Sequence, residues 1–346
     1  MHTVAACNTY RLYKLRVVLS INPSSKADRS CPAIPPYLAL AFAILAVSAS
    51  SIFIRLAQAE ASSLVIAAYR LSISTLILSV PVLFRNTKEI ALIKPKQWGL
   101  LILSGFFLAL HFASWITSLE YTSIASSVVL VTSSPLWVAI FSPVLLKERI
   151  PKSVRWGLAI AMLGAVLVGS ASYLQSGSIQ PMFSGGKALW GQFLALCGAV
   201  TVAGYFMIGR SMRQSLSLLS YTFLVYGIAA VILLLIVWMV HLPLGGYSPH
   251  IYLLFAAMAV IPQLLGHSTL NWALKYIPAA IVSIVTLGEP VGATLLGYLI
   301  LKESPQALEV LGGIIILIGI AVAMMNGKPE RTLKATSENY FVDSVD

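Results

Sequence analysis

Ten apolar runs, separated by short polar segments, are the dominant pattern along the chain. Each run has about the 20 residues that an α-helix needs to cross a hydrocarbon core of roughly 30 Å. Membrane β-strands would instead alternate apolar and polar positions over segments of about ten residues. The sequence therefore predicts an all-α polytopic membrane protein with ten transmembrane helices. The predicted helices span residues 35–57, 63–84, 98–118, 123–146, 156–174, 188–209, 217–241, 250–273, 278–301 and 307–326.

Composition agrees with this pattern. Of the 346 residues, 58% are hydrophobic and 10% are charged, against about 25% charged residues in an ordinary soluble domain. The net charge of +11 comes from basic residues in short loops and tails, so nucleic acid is not an expected partner. Cys7, Cys31 and Cys197 are widely spread and show no metal-binding or redox spacing. We expect neither a metal nor a cofactor.

The distribution of basic residues predicts the orientation. If the N-terminus faces inward, the inner segments hold 19 of the 23 lysines and arginines, and the other four are Arg55, Arg70, Lys187 and Lys302. Positive charge concentrates in the cytoplasmic loops of membrane proteins. We expect an integral protein of the bacterial plasma (inner) membrane, with both termini in the cytoplasm.

The chain repeats itself at a constant offset of 155 residues. Apolar helices match by chance fairly often, but prolines and Lys-Glu pairs at one shared offset do not. Because each unit holds five helices, an odd number, the two units must insert in opposite orientations. Such inverted repeats, with a site near the midplane, are common in secondary transporters. The corresponding residues are Arg55 and Arg210, Leu119 and Leu274, Tyr121 and Tyr276, Ala125 and Ala280, Pro135 and Pro290, Leu146–Glu148 and Leu301–Glu303, Gly157 and Gly312, and Gly164 and Gly319.

The stretch from 278 to 304 carries the strongest functional signal. Glu289 lies in the middle of an apolar run, where a carboxylate is costly and usually faces a cavity or a partner charge. Pro290 lacks an N–H and interrupts the helix, as Pro135 does in the other unit. Gly288 and Gly292 let a neighbouring helix approach closely. We expect Glu289 to bind substrate and the prolines and glycines to form a hinge; the alternative is a buried structural carboxyl.

Arg70 and Glu289 lie at similar predicted depths. At roughly 1.5 Å per residue, they are about 12 Å and about 16 Å from the starts of their helices. Those two starts lie on opposite sides of the membrane, so both residues are near its midplane. Pairing across a cavity is therefore geometrically allowed, whereas the alternative for Arg70 is to bind backbone carbonyls and fix a helix.

Other polar residues form a candidate cavity lining. Gln263, His267 and Asn271 follow at steps of four residues and predict a polar stripe, which either lines a pathway or bonds to another helix. His111 and Trp115 are also four apart and suit a planar or amphipathic solute; for His111 a satisfied core histidine is the alternative.

Three further residues complete the candidate set. Tyr205 carries a hydroxyl group and lies at an inner position of the sixth run. Glu148 and Glu303 end corresponding helices, each after a lysine, and are interpreted as gate or loop-anchoring charges.

The pattern Leu-x-Tyr…Ala…Pro…Leu-Lys-Glu in each half, together with Glu289-Pro290, resembles the drug/metabolite transporter superfamily, specifically its EamA branch. The resemblance covers about residues 37–326 and implies ten helices around a central cavity that export or exchange small organic solutes. It also implies an alternating-access secondary transporter, a monomer or homodimer, with protons as a candidate coupling ion. Small multidrug-resistance relatives carry an essential glutamate in the first helix, where this chain has Ser48–Ser51.

The predicted domains follow from the repeats. Residues 1–34 are expected to be a disordered cytoplasmic tail or a start-site error, with a transit peptide as the alternative. The remaining predicted units are a first EamA repeat at 35–174, an external linker at 175–187, a second EamA repeat at 188–326 and a cytoplasmic tail at 327–346.

Rival functions are less well supported by the sequence. An intramembrane enzyme lacks its motifs, since there is no H-E-x-x-H or G-x-S-x-G and aspartates occur only in the tails. An organic-phosphate or nucleotide-sugar exchanger would need several converging basic residues, and only Arg70 is suitably placed. A receptor or scaffold role ranks third. We expect neutral or zwitterionic metabolites, such as amino acids, as substrates.

The orientation can be tested by cysteine labelling in a variant that lacks the native cysteines. The loop charges predict that an impermeant maleimide labels cysteines placed in 175–186 and 243–248 from outside intact cells. Cysteines in 86–97 and 148–155 should react only after lysis. External labelling of the 86–97 loop would overturn the predicted orientation.

Overall fold

The computed structural model describes residues 34–122, 124–175, 186–296, 298–299 and 307–325. Within these residues it is entirely helical, which confirms the all-α fold. Among the described residues, nine helices are long and apolar enough to cross a membrane. The segments are α1 (Pro36–Ala57), α2 (Ser63–Arg85), α3 (Pro95–Tyr121), α4 (Ile124–Val131 and Ser134–Leu145), α5 (Lys152–Gln175), α6 (Gly186–Met212), α7 (Leu218–Met239), α8 (Pro249–Ala273), α9 (Ala279–Thr286 and Glu289–Leu296) and α10 (Ala307–Met325).

The ten helices form two units of five, α1–α5 and α6–α10, in opposite orientations. Pairs of helices from the two units pack together, notably α5 with α10, α3 with α6 and α2 with α7. The predicted tails, most of the 175–187 linker and Glu303 lie outside the described residues. We call the side with the loops 86–94, 146–151, 213–217 and 274–278 the basic face.

Carboxylates from loops and helix ends fix the starts of three helices. The pairs are Glu120 with Ser63, Glu89 with Ser217 and Glu60 with Ser248. Glu89 accepts from the Ser217 backbone N–H at 2.7 Å and from its hydroxyl at 2.5 Å. These bonds satisfy N–H groups that a helix start leaves free, and they place negative charge at the positive end of the helix dipole. At Glu60, the N–H and hydroxyl of Ser248 hold the pKa of the carboxyl below its usual value.

Glycines form the seam between α5 and α10. A Cβ added at Gly157 would lie 2.5 Å from the carbonyl oxygen of Gly319, and one at Gly164 would lie 2.6 Å from that of Gly312. Gly312 and Gly319 are the residues 155 positions after Gly157 and Gly164. Exchanging the two repeats therefore turns the first contact into the second. The seam therefore lies on the pseudo-two-fold axis, and only glycine allows the two backbones to approach this closely.

Two helices break near this axis. One helix of α4 ends at Val131 and the next begins at Ser134, beside Pro135; α9 breaks in the same way between Thr286 and Glu289. The two breaks are again 155 residues apart.

Helix α1 packs against the break in α9. A Cβ on Gly292 would lie 2.1 Å from Ser48 Oγ, so the smooth Gly288–Gly292 face that the sequence predicts meets α1. The Ser48 hydroxyl donates to the Glu289 carbonyl at 3.1 Å and to Ile44 at 2.7 Å. A neighbouring helix thus supplies a hydrogen bond at the irregular backbone, as hydrocarbon surroundings require.

The seam predicts a large effect of side-chain volume. Gly164→Leu should lower the free energy of unfolding in detergent by about 1–3 kcal/mol or more, because the added atoms meet backbone on α10. Gly99→Leu is the matched control, since nothing lies within 4 Å of a Cβ there. Equal unfolding midpoints in a denaturant titration of the two variants would show that the seam is loosely packed.

Candidate functional site

A pocket lies between six helices, α1, α3, α4, α6, α8 and α9. The space free of atoms between its lining residues is roughly 450 Å³, and this volume includes solvent at the open mouth of the pocket. Helices α2, α5, α7 and α10 contribute no lining residue in the described part of the chain. The lining residues are Val47, Ser50, His111, Trp115, Val131, Thr132, Ser134, Val202, Phe206, His267, Leu270, Thr286 and Glu289.

The pocket sits on the axis that relates the two repeats. Four pairs of lining residues are 155 positions apart: Val47 and Val202, Trp115 and Leu270, Val131 and Thr286, and Ser134 and Glu289. Val47 and Val202 are identical, but the other three pairs differ in chemistry. Ser134 occupies the first-repeat position of Glu289, so the carboxylate occurs in one repeat only.

Three lining residues carry polar atoms with no hydrogen-bond partner among the described residues. They are Trp115 Nε1, His267 Nδ1 and Glu289 Oε1, and each of the three side chains is buried. Buried polar atoms are almost always paired in folded proteins. Their convergence on one pocket therefore indicates a place where a polar ligand completes the hydrogen bonding.

Aromatic rings form one wall of the pocket. The His111 ring stacks on Trp115, with centroids 5.8 Å apart and planes 17° apart. His111 Nδ1–H donates to the Gly198 carbonyl of α6 at 2.9 Å, which fixes the ring. Phe112 meets the edge of His267 at 5.4 Å. His111 is therefore both a satisfied core histidine and a pocket residue.

Arg70 does not pair with Glu289 in this structure. It is fully buried, and its guanidinium donates to Ser50 and Gln263, both at 2.7 Å, while lying 4.3 Å from the centroid of the Phe112 ring. The contact with Glu289 that the sequence allows is absent because neutral side chains of α1, α3 and α8 hold the guanidinium behind the pocket wall. Backbone carbonyls, the predicted alternative, are not its recorded partners either.

The middle of α8 is wound as a π-helix, from Ala259 to His267. Pro262 lies within it and has no N–H to donate, and the Ser268 N–H donates to the Gln263 carbonyl, five residues back. Residues four apart no longer share a face in such a turn. The predicted stripe is consequently split, and only His267 of its three members lines the pocket.

The other two members of the stripe bind neighbouring helices. Gln263 accepts from Arg70 of α2, and Asn271 donates to the Tyr205 hydroxyl of α6, with Tyr226 of α7 at 3.4 Å. Tyr205 is fully buried and is also not a lining residue. In this structure Gln263 and Asn271 therefore form hydrogen bonds to neighbouring helices, which is the alternative to lining a pathway.

Glu148 lies at the basic face, away from the pocket lining. It forms an ion pair of 2.8 Å with Arg210, whose guanidinium also donates to the carbonyls of Leu274 and Lys275. This cluster ties the ends of α4, α6 and α8 together. Its repeat-related residue, Glu303, is outside the described part of the chain.

Sequence reasoning missed several lining residues. Ser134, Thr132 and Thr286 are small polar residues beside the two helix breaks, and such residues are common in packed membrane helices. The repeat offset was the available signal, since it places Ser134 opposite Glu289.

Comparisons with known proteins agree with this arrangement. The model of the EamA-like transporter family matches residues 34–170 and again residues 189–325. The pseudopaline exporter CntI of Pseudomonas aeruginosa is 25% identical over 63% of this chain and 72% of its own. The uncharacterized transporter YcxC of Bacillus subtilis is 24% identical over 84% of this chain and 93% of its own.

A solved crystal structure shares the fold, with a TM-score of 0.70 at 18% identity over 84% of this chain and 97% of the other. The two family matches coincide with the two five-helix units, and both sets of helices enclose the pocket. The chain therefore belongs to the EamA-like transporter family and is an integral membrane transporter, not an enzyme.

Proposed function

We propose that this transporter exports or exchanges a small organic metabolite that carries an amine, neutral or zwitterionic overall, by alternating access. The observation that carries the proposal is the buried Glu289 carboxylate, whose Oε1 has no partner among the described residues and lines the pocket. An ammonium group would supply the missing hydrogen bond and charge. The loop charges support an orientation with both termini in the cytoplasm of a bacterial cell. In this proposal the repeats at 35–174 and 188–326 are the two moving units.

The relatives support the direction of transport. The similar protein of Pseudomonas aeruginosa is described as an exporter of pseudopaline. At 25% identity this resemblance favours export of a small organic solute and leaves the substrate to be argued from the pocket.

The lining of the pocket argues against the phosphate-exchanger alternative. Phosphate recognition uses converging arginines or lysines, whereas the thirteen recorded lining residues include none. Arg70 is close, but it lies behind Ser50 and Phe112. A solute with one carboxylate and one amine suits this pocket better than a multiply charged anion.

Proton coupling is the second element of the proposal. Glu289 can exchange its bound ammonium for a proton, so that substrate and proton compete for one carboxyl group. In a second state Glu289 pairs with Arg70, and the two states open the pocket to different sides. Such a cycle requires that each ligand bind the two states with different affinity.

Export itself is tested by comparing the solutes released by cells with and without the protein, using untargeted mass spectrometry. At least one amine-bearing metabolite should accumulate outside cells that express the parent. The same release from cells that lack the protein would contradict the proposed function. The solute found here is then the probe for flux into liposomes.

Glu289→Gln keeps the shape of the side chain but cannot titrate. We expect gradient-driven accumulation in proteoliposomes to fall to the level of empty liposomes, while passive exchange of the solute persists. The dependence of flux on pH should also disappear. Glu60→Gln, the same change at an exposed loop, is the control, because the amide oxygen of glutamine can still accept from the Ser248 N–H. A Glu289→Gln variant that concentrates solute as well as the parent would make Glu289 structural.

Trp115→Ala should change substrate preference more than protein yield. The indole stacks on His111 in the pocket wall, and its loss should weaken binding of planar or apolar solutes by about two- to tenfold. Calorimetric titration of several exported solutes measures this change. Trp190→Ala removes an exposed ring and should leave the ranking of solutes unaltered; a matching change in both variants would contradict the role of Trp115.

A further inference from the structure

Arg70 is a buried cation that forms no ion pair with any described residue. None of its side chain is exposed, and the groups that contact its guanidinium, a serine hydroxyl, an amide oxygen and a phenyl ring, are all neutral. Its Nη2 has no hydrogen-bond partner in the described part of the chain. The single ion pair recorded there joins Arg210 and Glu148 at the basic face. The charge of Glu289 acts on Arg70 from a distance, but no carboxylate among the described residues contacts the guanidinium. Leaving a buried charge without a direct partner is costly, so this position favours a ligand that carries an anion.

Ser50 connects Arg70 to the pocket. Its Oγ accepts from Arg70 Nη1 at 2.7 Å, and the same residue lines the pocket wall. Because that contact uses the oxygen as an acceptor, the hydroxyl hydrogen remains free to donate, and no described residue is recorded as its acceptor. A hydroxyl that accepts from a cation is polarised and becomes a better donor to an anion. Ser50 therefore presents the charge of Arg70 to a ligand.

The repeat shows that the fold itself does not need this cluster. The positions 155 residues after Ser50, Arg70 and Leu108 are Tyr205, Val225 and Gln263. In the second repeat the position of Arg70 is thus a valine, and in the first repeat the position of Gln263 is a leucine. Both repeats form the same five-helix unit, so apolar side chains serve the packing at these places. A buried ionic group that packing does not require favours a role in specificity.

We propose that Arg70, acting through Ser50, selects substrates that carry a carboxylate, so that the transported solute is an amino-acid-like zwitterion. Its carboxylate accepts from the Ser50 hydroxyl and from the unpartnered Trp115 Nε1–H, while its ammonium binds Glu289. Arg70 is a positioning residue, because it acts on the ligand through Ser50. This inference rests on the proposed transport function and adds the specificity-determining group to it.

The test compares acids with their amides. The parent protein in lipid nanodiscs is titrated by calorimetry with the proteinogenic amino acids, each paired with its uncharged carboxamide, which keeps the ammonium group. For the amino acids that bind, we expect the acid to bind about tenfold or more tightly than the amide, as for a hydrogen bond to a charged group. Ser50→Ala and Arg70→Gln should bring this ratio close to one, and Arg70→Lys should restore part of it.

Two controls separate this role from a structural one. Arg55→Gln removes an exposed cation from the same helix, α1, as Ser50 and should leave the ratio unchanged. Glu289→Gln should weaken binding of acid and amide equally, because both carry the ammonium group. If Arg70→Gln does not fold, the milder Ser50→Ala decides the question.

Three outcomes would overturn the inference: no amino acid binds the parent, acid and amide bind equally well, or the ratio survives in Ser50→Ala. None of them concerns the release of solutes by cells, which tests the proposed export separately. Amino acids that bind with a ratio controlled by Ser50 and Arg70 would establish the carboxylate as the group that is recognised.

Discussion

In a hydrocarbon environment, every backbone group that loses its helical partner must find another one within the protein. The protein meets this requirement at three proline positions, Pro135 in α4, Pro262 in α8 and Pro290 in α9, where the helix breaks or widens. All three irregular segments line the same pocket. The hydroxyl of Ser48 supplies a bond to the backbone at the break in α9. These three irregular segments therefore lie where helices from both repeats pack around them.

The glycine seam between α5 and α10 and the pocket lie on one pseudo-two-fold axis. Contacts across the seam map onto each other when the repeats are exchanged, whereas three of the four repeat-related pairs in the pocket lining differ in chemistry. Both halves share the helix breaks and the glycine contacts, but their charged residues differ. Glu289 corresponds to Ser134 in the other repeat, and Arg70 corresponds to Val225. The glycines that pack the two repeats together are symmetric, whereas most of the residues that line the pocket are not.

Much of the fold could be read from the sequence, because each of its signals acts locally. Run lengths predict the helices, and prolines at a shared offset indicate both breaks and the inverted repeat. The sequence allowed Arg70 to pair with Glu289 but could not decide it, because depth along a helix fixes the height of a residue and not the direction of its side chain. In this structure the guanidinium points to Ser50 and Gln263 instead. The three polar residues of α8 do not form one stripe for a different reason. A π-helical turn changes which residues share a face, and a single proline in the sequence does not predict such a turn.

The unequal chemistry of the two repeats also bears on the energy of the transport cycle. In an alternating-access cycle built from identical halves, a two-fold rotation would convert the inward-open form into the outward-open form, and the two would have equal free energy. Every repeat-related pair that differs removes this degeneracy and sets a preferred resting side. A shift of about 1.4 kcal/mol changes the ratio of the two forms tenfold at 25 °C. In the proposed cycle, side chains such as Glu289 and Ser134 therefore set the free-energy difference between the two open forms. A few substitutions at repeat-related positions can change which form is more populated while the helix packing stays the same.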